Sequence, residues 1–235
     1  NNRLDNVLMA IYLLFNEGYN STQHNNLIRT DLMQEAIYLC ELICHSPAVN
    51  HSNAHALLAL INFTASRNTS RLDAEGNILL LRQQNRSQWN KALIEKGIFH
   101  LEASAAGDAV SKYHLEAGIA YEHARAVSYA DTNWKNILQC YDLLFKFFPS
   151  PVVALNRAIV IAELQGAAEG IKAIESISSI SYLKKYYLLP ATLGELHLQL
   201  QHFEKARQYF VQAIELTHSV TEKKLLQQKI DLSEK

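Results

Sequence analysis

The chain has 235 residues, 49% of them hydrophobic and 19% charged, the balance of a folded globular protein and not of a disordered or fibrous one. At this length folding buries roughly 70% of the surface that the unfolded chain exposes, so a core forms without disulfides or a structural metal. Lys and Arg number 22 against 23 Asp and Glu, a formal charge of −1, which supplies no electrostatic excess for gripping the phosphates of duplex nucleic acid.

Only 8 Gly and 4 Pro interrupt the chain, so the residues that punctuate strands and tight turns are scarce and an all-α fold is expected. Cys40, Cys44 and Cys140 are too few and too irregular for a disulfide framework. With no signal-peptide pattern in view, the expected compartment is the cytoplasm. Asn62-Phe63-Thr64 and Asn68-Thr69-Ser70 then match the glycosylation pattern by chance. No apolar run approaches the roughly 20 residues that cross a bilayer, so no membrane association is expected.

In chain order, Leu4, Val7, Leu8, Ile11, Leu14 and Phe15 follow the helical period, and the first helix ends near Gly18. The second, "RTDLMQEAIYLCELICHS", has Thr30 as its expected cap and Asp31 in its first turn, and Pro47 closes it. The third, "NAHALLALINFTASRN", is apolar over most of its circumference and is predicted to be largely buried. Residues 69 to 86 do not read as helix. A turn signal at Asp73-Ala74-Glu75-Gly76 separates two short stretches, and Ile78 to Leu81 are too apolar to stand in water, so this is an ordered connection packed on helices.

Ser87 is the expected cap of a fourth helix running to about Ala106, and a fifth covers about Val110 to Ser128. Asp131 or Thr132 caps a sixth, which stops at Pro149. Four more are predicted near 151 to 165, 167 to 178, 183 to 200 and 202 to 217, and a polar one from about Thr221, for about eleven in all.

The second half repeats. Leu193-Gly194, Ala206, Phe210 and Ala213 stand at tetratricopeptide spacing, in which small residues let two helices approach and an aromatic fills the gap. Ile137, Tyr141, Leu144 and Pro149 reproduce the second-helix part of that pattern, and Leu155-Asn156 lies 38 residues before Leu193-Gly194. The expectation is a helical array, an α-solenoid with degenerate repeats in 109 to 235, packed as one unit with an N-terminal part, 1 to 108. Stacked helix pairs of this kind offer extended surfaces to peptides and proteins.

Evidence for chemistry is thin. His51 and His55 are four apart, but the Glu of the metalloprotease pattern is missing and no third ligand is evident in the sequence. Cys40, Cys44 and His45 fit a buried helix turn, where free cysteines pack as small hydrophobes. Glu122 and His123 are adjacent on a helix and point about 100° apart. No nucleophile elbow, phosphate loop or dinucleotide fingerprint occurs. No catalytic residue, metal or cofactor is expected; an enzyme built around His123 is the most remote of three readings.

The stretches "RLDNVLMAIYLLFNEGY", "LMQEAIYLCELI", "ALLALINFTASR", "RLDAEGNILLLRQQNRSQW", "EHARAVSYADTNW" and "SPVVALNRAIVIAELQG" occur in an order that resembles the C-terminal extension of one group of bacterial extracytoplasmic-function RNA polymerase sigma factors. In that family a tetratricopeptide-like domain follows the DNA- and polymerase-binding sigma regions, and nothing here resembles those regions. The resemblance implies a regulatory extension, without enzymatic activity, that contacts the sigma regions of its own full-length chain and core RNA polymerase. Promoter DNA would be reached only through the missing N-terminal regions. The alternative is a stand-alone peptide- or protein-binding helical module unrelated to transcription.

The positions that match the family pattern and are candidates for protein contact are Asp73, Gly76, Arg86, Trp89, His123, Asn156 and Arg157. Structural roles compete at each: a turn for Gly76, the core for Trp89, and a buried linker for Asn156, with Arg157 reaching the concave surface. The chain departs from the family at Asn85, Asn90 and Asn133, where Asp is usual.

Overall fold

A computed structural model describes residues 2–21, 28–47, 52–107 and 109–233. Among them are eleven α-helices and no strand of a sheet, with 75% of the residues helical, so the all-α expectation holds. In chain order they are α1 (Asn2–Tyr19), α2 (Thr30–Cys44), α3 (Ser52–Ser66), α4 (Lys91–Ser104), α5 (Lys112–Arg125), α6 (Trp134–Phe147), α7 (Pro151–Gln165), α8 (Ala167–Glu175), α9 (Leu188–Gln199), α10 (Phe203–Leu216) and α11 (Val220–Leu232).

Several expected caps are displaced. Thr30 is the first helical residue of α2, behind Arg29, whose guanidinium pairs with Asp31 at 2.6 Å. Ser87 sits in a 3₁₀ turn, and Asn90 caps α4 by accepting the Leu93 N–H at 3.2 Å. Asp131 does not cap α6: its carboxylate accepts from Ser128 Oγ at 2.7 Å within the preceding turn.

Two compact units emerge, one of Asn1–Asp73 with Leu79–Asn133, the other of Ala74–Ile78 with Trp134–Lys235. The division falls after Asn133, where the sequence suggested 108, because α5 packs on α3 through Tyr113 and Ala117. In the first unit α3 is central. Residues Ala56 to Ile61 and Phe63 are almost without solvent exposure, since α1, α2, α4 and α5 all lie against this helix. Close approach depends on two glycines. A Cβ on Gly97 of α4 would fall 2.6 Å from the Phe63 ring, and one on Gly18 would fall 2.8 Å from the Met33 nitrogen at the start of α2.

In the second unit each helix from α6 to α11 packs on the next, the order of a helical array. Gly166 alone joins α7 to α8, with φ of +97° that a side chain would disfavour, and its N–H caps the Ala162 carbonyl. The repeat spacing has a direct cause. Ala206, Phe210 and Ala213 are fully buried, and the Phe210 ring lies where a Cβ on Gly194 would fall, 2.6 Å away.

Candidate protein-interaction site

The irregular segment is closed at its base. The Asn90 N–H donates to the Ser66 carbonyl at 2.8 Å, Thr69 Oγ1 to Gln88 O at 3.3 Å, and Leu79 N–H to Arg71 O at 2.8 Å. Within it, short 3₁₀ turns at Asn68–Ser70, Leu81–Gln83 and Arg86–Gln88 take the place of a helix. Asn85 accepts from the Ser87 N–H at 3.0 Å, so at Asn85 and Asn90 the amide oxygen does the capping work that an Asp carboxylate would do. Gly76 adopts φ of +78°, the left-handed turn expected of it, and is exposed. Asp73 is half-buried in the same loop.

Arginines hold this segment to the helices. The Arg71 guanidinium lies 3.7 Å over the Tyr19 ring and donates to the Tyr19 carbonyl, while Arg67 Nε donates to the Tyr19 hydroxyl at 2.6 Å. Arg86 donates from Nη1 to the carbonyls of His123 (2.7 Å) and Ala126 (3.3 Å), and from Nη2 to Thr132 Oγ1 at 2.9 Å. Its guanidinium also stands 5.1 Å from the Trp89 ring centre, and Trp89 is buried. The planar fork thus ties the loop to the C-terminal end of α5, whose last carbonyls lack helical partners.

Three of the seven candidates, Arg86, Trp89 and His123, therefore come together, and they do so inside the first unit. Tyr19, Arg67 and Arg71 complete that network and were not singled out by sequence, although "NEGY" at a helix end already marks a close approach.

Burial, and beyond it the charges of Arg67 and Arg86, hold the His123 imidazole down to about 3. It is neutral in the folded chain, whereas in the unfolded chain it protonates near 6.5. A depressed pKa gives stability that is complete above pH 6.5 and is lost as the pH falls towards 3. His123→Asn should flatten the acid side of the stability profile, removing up to about 1.4 kcal/mol per pH unit across that window. Urea midpoints at successive pH values check this; parallel profiles would assign the acid loss to other groups.

In the second unit Arg157 Nε pairs with Asp142 of α6 at 2.6 Å, with the two side chains 36% and 48% exposed. Arg157 lines a surface pocket with Phe145, Ala154, Ala158, Ala173 and Ile177. Asn156, next to it on α7, is half-buried and so is not the enclosed linker that was expected. The end of α6 leaves Leu143 (42%), Phe145 (47%), Phe147 (59%) and Phe148 (38%) in solvent, and Val152 near the start of α7 is exposed as well. On the helix Leu143 and Phe147 share one side, while Phe145 points to the other, towards the pocket. Sequence alone assigned Tyr141 and Leu144 of this helix to repeat packing and counted Phe145 among its periodic apolar residues, without singling out Phe147 or Phe148.

A group with ligand chemistry lies elsewhere in the first unit. Cys44, His55 and His100 present one sulfur and two ring nitrogens, all within 4.8 Å of one another. His51, considered with His55, falls outside the described residues. The donor set beside His55 is completed by His100 of α4 and by Cys44, and Cys40 is not part of it. The Cys40 thiol donates to the Ala54 carbonyl at 3.4 Å, and its contact with Cys44, then burial, raise its pKa.

No helix among the described residues is long and apolar enough to cross a membrane. Residues 3–105, which hold the arginine-tied loop and the Cys44, His55 and His100 group, match the model of a family of unknown function, DUF6596. The chain is 32% identical over 230 residues to an uncharacterized protein of Rhizobium meliloti (strain 1021), an alignment that covers 97% of this chain and 53% of that protein. The chain thus spans about half the length of the curated relative it matches. No solved structure matches it.

Proposed function

We propose that this chain is the regulatory, protein-binding extension of an extracytoplasmic-function sigma factor, acting without chemistry of its own. The observation that carries a binding role is the exposed Phe145 ring of α6 in one pocket with Arg157, whose ion pair with Asp142 sets charge beside an apolar lining. The order of the six motifs supports the sigma assignment, and the relative's additional length leaves room for the sigma regions. The formal charge of −1 agrees with a division of labour in which DNA is bound by those regions, since duplex affinity scales with phosphates neutralised. The partners are then the sigma regions of the full-length chain and core polymerase.

The test is transcription in vitro by the full-length protein. Arg157→Ala and Phe145→Ser should change transcript yield several-fold, and Asp73→Ala reports on the loop. Thermal stability should stay nearly constant at Arg157, because an exposed ion pair contributes about 0–1 kcal/mol. The 235-residue chain alone should bind the N-terminal half of the protein and show no salt-sensitive affinity for promoter DNA. Unchanged transcription in all three variants would remove this surface from the mechanism. A full-length protein that lacks sigma regions would favour the stand-alone binding module.

A further inference from the structure

We infer that Cys44, His55 and His100 bind one zinc ion, clamping the end of α2 to α3 and α4. Each helix supplies a single ligand: Cys44 is the last residue of α2, His55 lies in the first turn of α3, and His100 is near the end of α4. The two histidines direct the same ring nitrogen at each other, Nδ1 to Nδ1 at 2.8 Å, with their rings stacked 5.1 Å apart. Zinc bonds of about 2.0–2.1 Å to nitrogen and 2.3 Å to sulfur place neighbouring ligand atoms of a tetrahedron roughly 3.3–3.6 Å apart. A set already held within 4.8 Å reaches that geometry by side-chain shifts on the order of 1 Å, without moving a helix.

The donor set selects the metal. One thiolate with two neutral imidazoles suits a borderline-soft ion, and hard cations such as magnesium or calcium would demand oxygen ligands. Cys44 and His100 are buried and His55 is half-buried, so the fourth position faces the more open side and is filled by water or a ligand from outside. Zinc with one thiolate carries a net positive charge, and the Glu41 carboxylate stands one turn before His45 on the same stretch, close enough to act on His100. Lys96, paired with Glu41 at 3.4 Å, and His45 are the other charged or titratable groups that face His100. The bland alternative is a hydrogen-bonded histidine pair with a core thiol nearby, which predicts no affinity for metal.

The 235-residue chain, stripped with a chelator, is titrated with Co(II) as a spectroscopic stand-in and then with Zn(II). The expected result is one equivalent of cobalt bound with a thiolate-to-cobalt charge-transfer band, lost on adding zinc, and a raised thermal midpoint. Cys44→Ser should abolish the band and Cys40→Ser should keep it, while His55→Asn should weaken binding by roughly ten-fold or more, at least the cost of disturbing an outer-shell partner. Far-ultraviolet dichroism confirms that each variant is helical; should Cys44→Ser unfold, alkylation of Cys44 in the native chain decides instead, with zinc expected to protect the thiol and equal labelling with and without zinc counting against coordination. A folded native chain without the charge-transfer band, or a band that survives in Cys44→Ser, overturns the site.

Discussion

Arg86→Ala should lower the unfolding free energy of the first unit by about 3 kcal/mol, as much as a large core truncation. The guanidinium serves three acceptors at once, the carbonyls of His123 and Ala126 and the hydroxyl of Thr132. Hydrogen bonds from a charged donor contribute about 1.5–3 kcal/mol each, and truncation leaves partly buried acceptors unsatisfied. Desolvation offsets some of this, since burial lowers the pKa of Arg86 and the charge of Arg67 acts in the same direction. The Trp89 ring loses its stacked partner as well. Arg86→Lys should recover less than half, because one ammonium cannot reproduce a planar fork that spans α5 and the turn at Thr132. Urea unfolding followed by Trp89 fluorescence in a Trp134→Phe background measures the loss, and an unchanged midpoint would show that the loop is held by other contacts.

That expectation differs from what sequence suggests for Arg86, and the reason is general. Helices were legible because apolar residues at the 3.6 period leave few alternatives, and the α9–α10 pair because Gly194 and Phe210 are a small and a large residue at a spacing that fits. Caps were less so. Asn90, Ser87, Asp131 and Thr132 are all competent cap residues near helix starts, and which one serves depends on where a 3₁₀ turn ends and on which hydroxyl Arg86 already occupies. A charged residue such as Arg86 or Arg71 reads as surface until the fold reveals which carbonyls face it. His100 was out of reach for a different reason: its partners lie 45 and 56 positions earlier, so that only the packing of α4 on α3 and α2 brings the three ligands together. The α6 phenylalanines were visible, but periodicity assigns apolar residues to a core and does not say which face lacks a neighbour.

Phe210→Ala should be the most damaging single change in the second unit, costing about 4 kcal/mol. Its ring is fully buried in the seam of α9 and α10, against Gly194, with Ala206 and Ala213 equally enclosed one turn to either side. The small residues that admit the ring cannot expand into the space it would leave, so a cavity persists and its term adds to the lost transfer free energy. The converse, Gly194→Ala, places a methyl 2.6 Å from the ring and should cost about 1–3 kcal/mol through overpacking. In an array where each helix contacts chiefly its neighbours, the damage should stay local. Hydrogen exchange should rise first in α9, α10 and α11, whose own cluster of Phe210, Leu226 and Ile230 shares that seam. α6 and α7, which carry Phe145 and Arg157, should keep their protection. If protection instead collapsed together from α6 to α11, the second unit would be one cooperative block, and a variant anywhere in it would perturb the proposed binding surface through stability alone.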